Sequence, residues 1–346
     1  MFAEYTLTDK LEKRCIDLLL QLGLAQTSEV TSVQPLTGGV ASDIARVDLD
    51  SRSLCVKFAL PKLKVAEDWH APVHRNAAEY AWLECAATIA PECAVKLYGQ
   101  VPALHGFAME YVAGDDVYLW KSALLQHAPD HGEAASVADV LGRIHAHSTR
   151  PNFERHCFHN RDDFKALRID PYLLFSASRH PTLDTILTEL AQMLYTSEQV
   201  LVHGDVSPKN ILFRPTGPLI LDAECATMGD ASFDPAFCLN HILLKAVHLP
   251  HSRTHLLESV SAFWQAYAKH ICWESEEVLQ ARICRLLPAL MLARVDGKSP
   301  VEYLNDQEQQ FVRQIAIDLL LNPVTTLDAL VSYITSAMEN KTHVSN

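Results

Sequence analysis

Residues 201–234 hold the side chains whose types and spacing could do chemistry. The apolar run Val200, Leu201 and Val202 ends in His203, Gly204 and Asp205, so a carboxylate is presented just beyond a buried element. Five residues later stands Asn210, then Ile211-Leu212-Phe213, a turn at 214–217, the apolar Leu219-Ile220-Leu221, and Asp222. A hairpin centred near Thr216 brings positions 210 and 222 opposite each other, within one register step. An amide oxygen and a carboxylate converging in this way suit Mg2+, a hard ion held by one or two protein groups together with substrate phosphates. Asp205, on the preceding loop, is placed to accept or orient a hydroxyl proton. These are the parts that phosphoryl transfer needs, because its catalysis is mostly placement and charge neutralisation.

Such groups must be held by a scaffold, and hydrophobic periodicity outlines one. Apolar residues Leu11, Cys15, Leu18, Leu19 and Leu22 recur at helical spacing, with Thr8 as N-cap and Gly23 as stop. Residues 30–60 read as three antiparallel strands separated by turns at 37–39 and 48–53. A helix over 76–90 and strands over 94–99 and 106–112 follow. Beyond the break at Gly114-Asp115-Asp116 the pattern becomes mainly helical, with helices expected over 132–148, 182–196, 235–247, 255–271, 275–293 and 306–321. The expected class is α+β, with a sheet-containing lobe at 1–113 and a helical lobe at 114–346.

Composition narrows the function classes. The 346 residues are 49% hydrophobic and 21% charged, which excludes a disordered or low-complexity chain. Twenty-nine Lys and Arg against 42 Asp and Glu give a net charge of −13, unsuited to a phosphate backbone as main partner. The nine Cys are scattered without a CxxC pair, which reads as buried reduced thiols. No uncharged stretch reaches the length of a membrane span and no leader is visible, so a cytoplasmic protein without membrane partners is expected. His156 and His159 lack a spaced second pair of ligands and do not make a zinc site.

The pattern of His203, Gly204, Asp205, Asn210 and Asp222 resembles that of the aminoglycoside phosphotransferase and choline kinase family, small-molecule kinases with a protein-kinase-like bilobal fold. The resemblance implies ATP and Mg2+ as cofactors, Asp205 as the catalytic carboxylate, and Asn210 and Asp222 as metal ligands, with His203 supporting the loop. It makes Lys57, within the apolar Leu54-Cys55-Val56-Lys57-Phe58, the lysine for the nucleotide phosphates. Glu79 becomes its ion-pair partner, in preference to Glu84 on another helix face. Gly38 and Gly39 occupy the place of the phosphate-covering turn, and Glu110 and Val112 that of the hinge whose main chain holds adenine. The likeness runs over residues 34–250 by motif order.

Within the family, Trp69, Arg75 and the pair Asp222-Ala223-Glu224 are similar to features of 5-methylthioribose kinases, where the second acidic residue also serves Mg2+. Val206-Ser207-Pro208-Lys209-Asn210 is closer to the general family pattern. The implied activity is phosphorylation of a hydroxyl on a sugar-like metabolite. The alternatives are an aminoglycoside acceptor or a nucleotide-binding module without turnover. Arg285, Arg294, Asp296 and Lys298 are candidate acceptor contacts.

Overall fold

The computed structural model describes residues 2–36, 42–62, 64, 72–128 and 130–344. Helix α1 (Phe2–Gln21) begins further upstream than its Thr8 cap suggests, and precedes strands β1 (Val30–Pro35), β2 (Ser42–Leu49) and β3 (Ser53–Ala59). After α2 (Arg75–Ile89) come β4 (Leu97–Val101) and β5 (Gly106–Glu110), completing an antiparallel sheet of order β1-β2-β3-β5-β4. Strand β4 starts three residues later than expected, and the register slips between Leu97 and Gly99, whose φ is +138°. The expected turn at Gly38-Gly39 and the loop carrying Trp69 lie outside the described residues.

Alternation along β3 decides what each sheet face does. Leu54, Val56 and Phe58 pack with Cys15, Leu18 and Leu19 of α1. Cys55 belongs to the other cluster, with Phe107 and Met109 of β5 and with Tyr80, Trp82 and Leu83 of α2. Lys57 has the parity of Cys55 and therefore points to the side that α2 covers. That second cluster continues without interruption into the helical region, through Val137 and Leu141, the strand Val200–Val202, and Phe233 and Phe237.

The remainder comprises β6 (Tyr118–Leu119), α3 (Trp120–Leu125), α4 (Glu133–Ser148), α5 (Arg161–Phe164), α6 (Phe175–Arg179), α7 (Asp184–Thr196), β7 (Val200–Val202), β8 (Ile211–Arg214), β9 (Gly217–Ile220), β10 (Thr227–Gly229), α8 (Phe233–His248), α9 (Arg253–Ala268), α10 (Glu276–Asp296), α11 (Asp306–Leu321) and α12 (Leu327–Val344). A π-helical stretch, Lys165–Leu174, joins α5 to α6 and contains Pro171. Little in the sequence marks it, because a π turn lacks the 3.6-residue period and proline ordinarily breaks a helix.

Strands β8 and β9 form the expected hairpin, from Ile211 opposite Ile220 to Arg214 opposite Gly217, with Pro215 and Thr216 in the turn. The Leu221 amide donates to the Asn210 carbonyl at 2.9 Å. Asn210 thus faces Leu221, and Asp222 lies one step beyond it. The nine cysteines are free, and no helix among the described residues is long and apolar enough to cross a membrane.

Candidate active site

The loop after β7 is fixed from several sides. Gly204 has φ +84°, and a Cβ there would lie 2.8 Å from the Cys225 Cβ, so both conformation and space call for glycine. Asp234, buried in the first turn of α8, accepts from the His203 amide at 2.7 Å and the Gly204 amide at 2.9 Å. A third partner of Asp234 is His145 Nε2, at 3.3 Å, whose Nδ1 meets the Tyr267 hydroxyl at 2.6 Å. The Asp205 amide donates to His203 Nδ1 at 3.0 Å, and the His203 ring stands edge-on to Trp82 of α2 with centroids 4.7 Å apart. Burial pushes the His203 pKa down, so the imidazole is neutral and supports the loop without carrying charge.

Asp205 is held by two cations and a hydroxyl. Arg168, from the π-helical stretch, donates to Oδ2 at 3.0 Å and also to the Gly204 carbonyl. Lys209 Nζ lies 3.3 Å from Oδ2, and Ser207 Oγ donates to Oδ1 at 3.0 Å. Burial alone would raise the Asp205 pKa, but Lys209 and then Arg168 outweigh it and hold the carboxyl below its usual range. A carboxylate held so low is a weak base that stays ionised as a hydrogen-bond acceptor.

Across the cleft, Lys57 is 2% exposed. Its Nζ donates to Glu79 Oε1 at 2.6 Å and to Asp222 Oδ1. Glu84 is exposed on another face of α2. Burial would lower the Lys57 pKa, but Asp222 and Glu79 overcome it and keep the ammonium charged. Burial, with Asp222 nearby, raises the Glu79 pKa to about 7 against the pull of Lys57. Asp222 has φ +71°, a left-handed conformation for a residue with a side chain, where the chain turns after β9.

Asn210 donates from Nδ2 to the Asp205 carbonyl at 3.1 Å, which leaves Oδ1 facing away as an acceptor. Glu224 Oε2 is bound by Arg75 Nε at 2.8 Å, and Arg75 also donates to the carbonyls of Pro72 at 2.7 Å and Leu60 at 2.8 Å. The donor set of Asp222, the Asn210 amide oxygen and the remaining Glu224 oxygen is all oxygen, which fits Mg2+. No group of three or more His, Cys, Asp or Glu among the described residues forms a complete cage. A site finished by phosphate oxygens needs none.

At the hinge position the Glu110 amide already donates to the Lys96 carbonyl at 2.8 Å, so only its carbonyl can serve a ligand. The Glu110 carboxylate faces Arg214 at 3.4 Å. Of the four candidate acceptor contacts, three are engaged elsewhere. Arg285 pairs with Glu189 at 2.7 Å on the surface. Asp296 receives two bonds of 2.7 Å from Arg313 and lies 2.8 Å from His180, while the Lys298 ammonium lies over the Phe175 ring. Arg294 is buried and has no carboxylate partner among the described residues. Sequence reasoning missed Arg168, Lys209 and the role of Asp234 in suspending the loop. Lys209 alone left a local signal, four residues from Asp205.

A small twisted sheet covered by a helix, a helical lobe, and a cleft joining a buried lysine to two acidic loops define a small-molecule kinase of protein-kinase-like architecture. The profile of the phosphotransferase enzyme family (APH) matches residues 32–279, and the chain belongs to that family. It is a phosphotransferase with an alcohol group as acceptor. Similar curated proteins include a methylthioribose kinase of Bacillus pumilus, 23% identical over 304 residues covering 77% of this chain and 75% of that one, and one of Bacillus cereus, 23% identical over 277 residues covering 66% and 69%. Among solved structures, the amicoumacin kinase hAmiN in complex with AMP-PNP, Ca2+ and Ami aligns with a TM-score of 0.52 at 14% identity, covering 87% of this chain and 90% of that one. A choline/ethanolamine kinase family protein from Mesorhizobium loti aligns at 0.50 and 13% identity, covering 96% and 94%.

Proposed function

We propose that the chain transfers the γ-phosphoryl group of Mg2+-bound ATP to a hydroxyl of a sugar-like metabolite, with the nucleotide between a lobe at 1–113 and a lobe at 114–346. The observation that carries this reading is that Lys57 and Asp222 meet in the cleft beside Asp205, which is itself oriented by Arg168 and Lys209. In this reading Lys57, aligned by Glu79, holds nucleotide phosphates. The Glu110 carbonyl and the Val112 amide hold adenine, and Gly38 and Gly39 cover the phosphates.

Asp222, Asn210 and Glu224 would hold Mg2+, which when bound neutralises charge on the phosphates. Asp205 aligns the acceptor hydroxyl. The acceptor oxygen forms a bond to the γ-phosphorus as the bond to the bridging oxygen breaks, ADP leaves, and the hydroxyl proton passes to Asp205. The sugar-like acceptor draws support from the two relatives named methylthioribose kinases. Asp205→Asn is expected to lower turnover by at least about 10³-fold while Mg-ATP binding persists. Near-normal turnover in that variant refutes the assignment. A screen of Mg-ATP consumption against sugars, methylthio-sugars, amino alcohols and aminoglycosides reads the acceptor class.

A further inference from the structure

Helix α8 starts at the catalytic loop, where Asp234 binds the His203 and Gly204 amides, and runs away from it. Phe237, His241 and Lys245 follow at four-residue spacing along adjoining positions of its surface. Phe237 and His241 have ring centroids 5.4 Å apart, and Phe237 also contacts Tyr172 at 5.7 Å. His241 is close enough for the charges of Asp205, Lys209, Arg294 and Lys245 all to bear on it. This face therefore leads from the reacting carboxylate into the helical lobe.

The far end of the face carries two basic groups without a paired carboxylate. Lys245 is 1% exposed, and its ammonium lies 5.0 Å from the Tyr303 ring centroid. Arg294, 9% exposed, donates from Nη1 to the Tyr172 hydroxyl at 3.1 Å and to Ser299 Oγ at 3.1 Å, both neutral groups. Among the described residues neither cation has a carboxylate partner, and Arg294 Nε and the buried Tyr303 hydroxyl have no hydrogen-bond partner. Glu302, whose charge bears on both Lys245 and Arg294, is bound to Lys121. Buried cations in this state are costly unless an anion joins them.

Resting on the phosphotransferase reading above, we propose that the acceptor is an anionic hydroxy compound, a sugar acid or sugar phosphate, whose charged group sits between Lys245 and Arg294 while a hydroxyl at its other end meets Asp205. The Tyr303 and Tyr172 hydroxyls supply further polar contact at the anion. Lys245 lies one turn beyond His241, about 6 Å along the helix axis, so the acid of such an acceptor and its reacting hydroxyl lie at opposite ends of the molecule. A polycationic aminoglycoside has the wrong sign to join these two basic side chains.

The test is a binding titration of the full chain, first with Mg-AMP-PNP alone and then, with that nucleotide saturating, with gluconate, glucose 6-phosphate, glucose and glucosamine. Binding of gluconate alone identifies a carboxylate acceptor, and binding of glucose 6-phosphate alone a phosphate acceptor. Either acid is expected to bind at least about tenfold more tightly than glucose or glucosamine. Lys245→Met and Arg294→Met are each expected to abolish that preference and leave Mg-AMP-PNP affinity unchanged. The proposal is overturned if glucose or glucosamine binds as tightly as the acids, if neither acid binds, or if both variants retain the preference. Failure of Mg-AMP-PNP to bind the wild-type chain in the first titration would instead overturn the phosphotransferase site.

Discussion

Replacing Lys245 with methionine is expected to stabilise the ligand-free protein, against the usual direction for a buried substitution. Burial is the main cause of a Lys245 pKa lowered from 10.5 to about 7, reinforced by Lys121 and Arg294 and only partly opposed by Glu302. That drop corresponds to about 5 kcal/mol of charging cost at pH values below 7. The Tyr303 ring returns about 1 kcal/mol of it, and methionine keeps most of the packing of the lysine stem. A net gain of about 2–4 kcal/mol is therefore expected near pH 6, which raises the melting temperature by roughly 3–6 °C in a chain of this size.

The pH dependence has a definite sign. Between pH 7 and 10.5 the unfolded chain keeps a proton on Lys245 that the folded chain has lost, so wild-type stability climbs with pH through that window. The advantage of the methionine variant should thus be full below about pH 7 and vanish near pH 10.5. Urea melts of both proteins at about pH 6, 8 and 10 read this directly. Lower stability of Lys245→Met at the acid end, or a difference that does not change with pH, would refute the reasoning.

Three other outcomes follow from the site. Arg168→Met removes one of the cations that hold the Asp205 pKa down, so the acid limb of the kcat profile should move to higher pH; an unmoved limb would separate Arg168 from Asp205 function. Gly204→Ala, at φ +84° and with its Cβ 2.8 Å from the Cys225 Cβ, should cost about 1–3 kcal/mol in stability and lower kcat. A fully active, equally stable variant would show that the loop tolerates a different path. Glu79→Gln removes a charge from Lys57 but keeps a hydrogen-bonding group, so the KM for Mg-ATP should rise by about tenfold with little change in acceptor KM. Equal changes in the two constants would argue against a role confined to the nucleotide.

The sequence revealed those parts of the site whose geometry is local. Asn210 and Asp222 are tied by a hairpin with a two-residue turn, so spacing alone placed them within a step of their observed register. Lys57 was legible through the family resemblance and through Glu79 on the following helix, since a lone lysine in a strand is ordinarily a solvated edge charge, and its strand stands in the middle of the sheet. Arg168 was not, since it reaches Asp205 from a π-helical stretch with a proline inside, where neither period nor composition marks a helix. The suspension of the loop from Asp234 spans two elements in different parts of the chain, and only tertiary packing of α4, α8 and α9 brings His145 and Tyr267 to it. Lys245 did leave a trace: a lysine set among Ile242, Leu243, Leu244, Ala246 and Val247 of α8 has no solvent face to occupy.

Helix α2 touches three parts of this site. Glu79 sets Lys57, Arg75 sets Glu224 beside Asp222, and Trp82 sets His203 in the loop after β7. In an engineer's terms the helix is the datum from which three separate positions are measured, so errors in those positions are correlated. Substitutions that tilt α2, such as enlargement of the buried Ala78, should degrade nucleotide, metal and acceptor handling together. Changes at the outer strand β1 should leave the tolerances of the site intact.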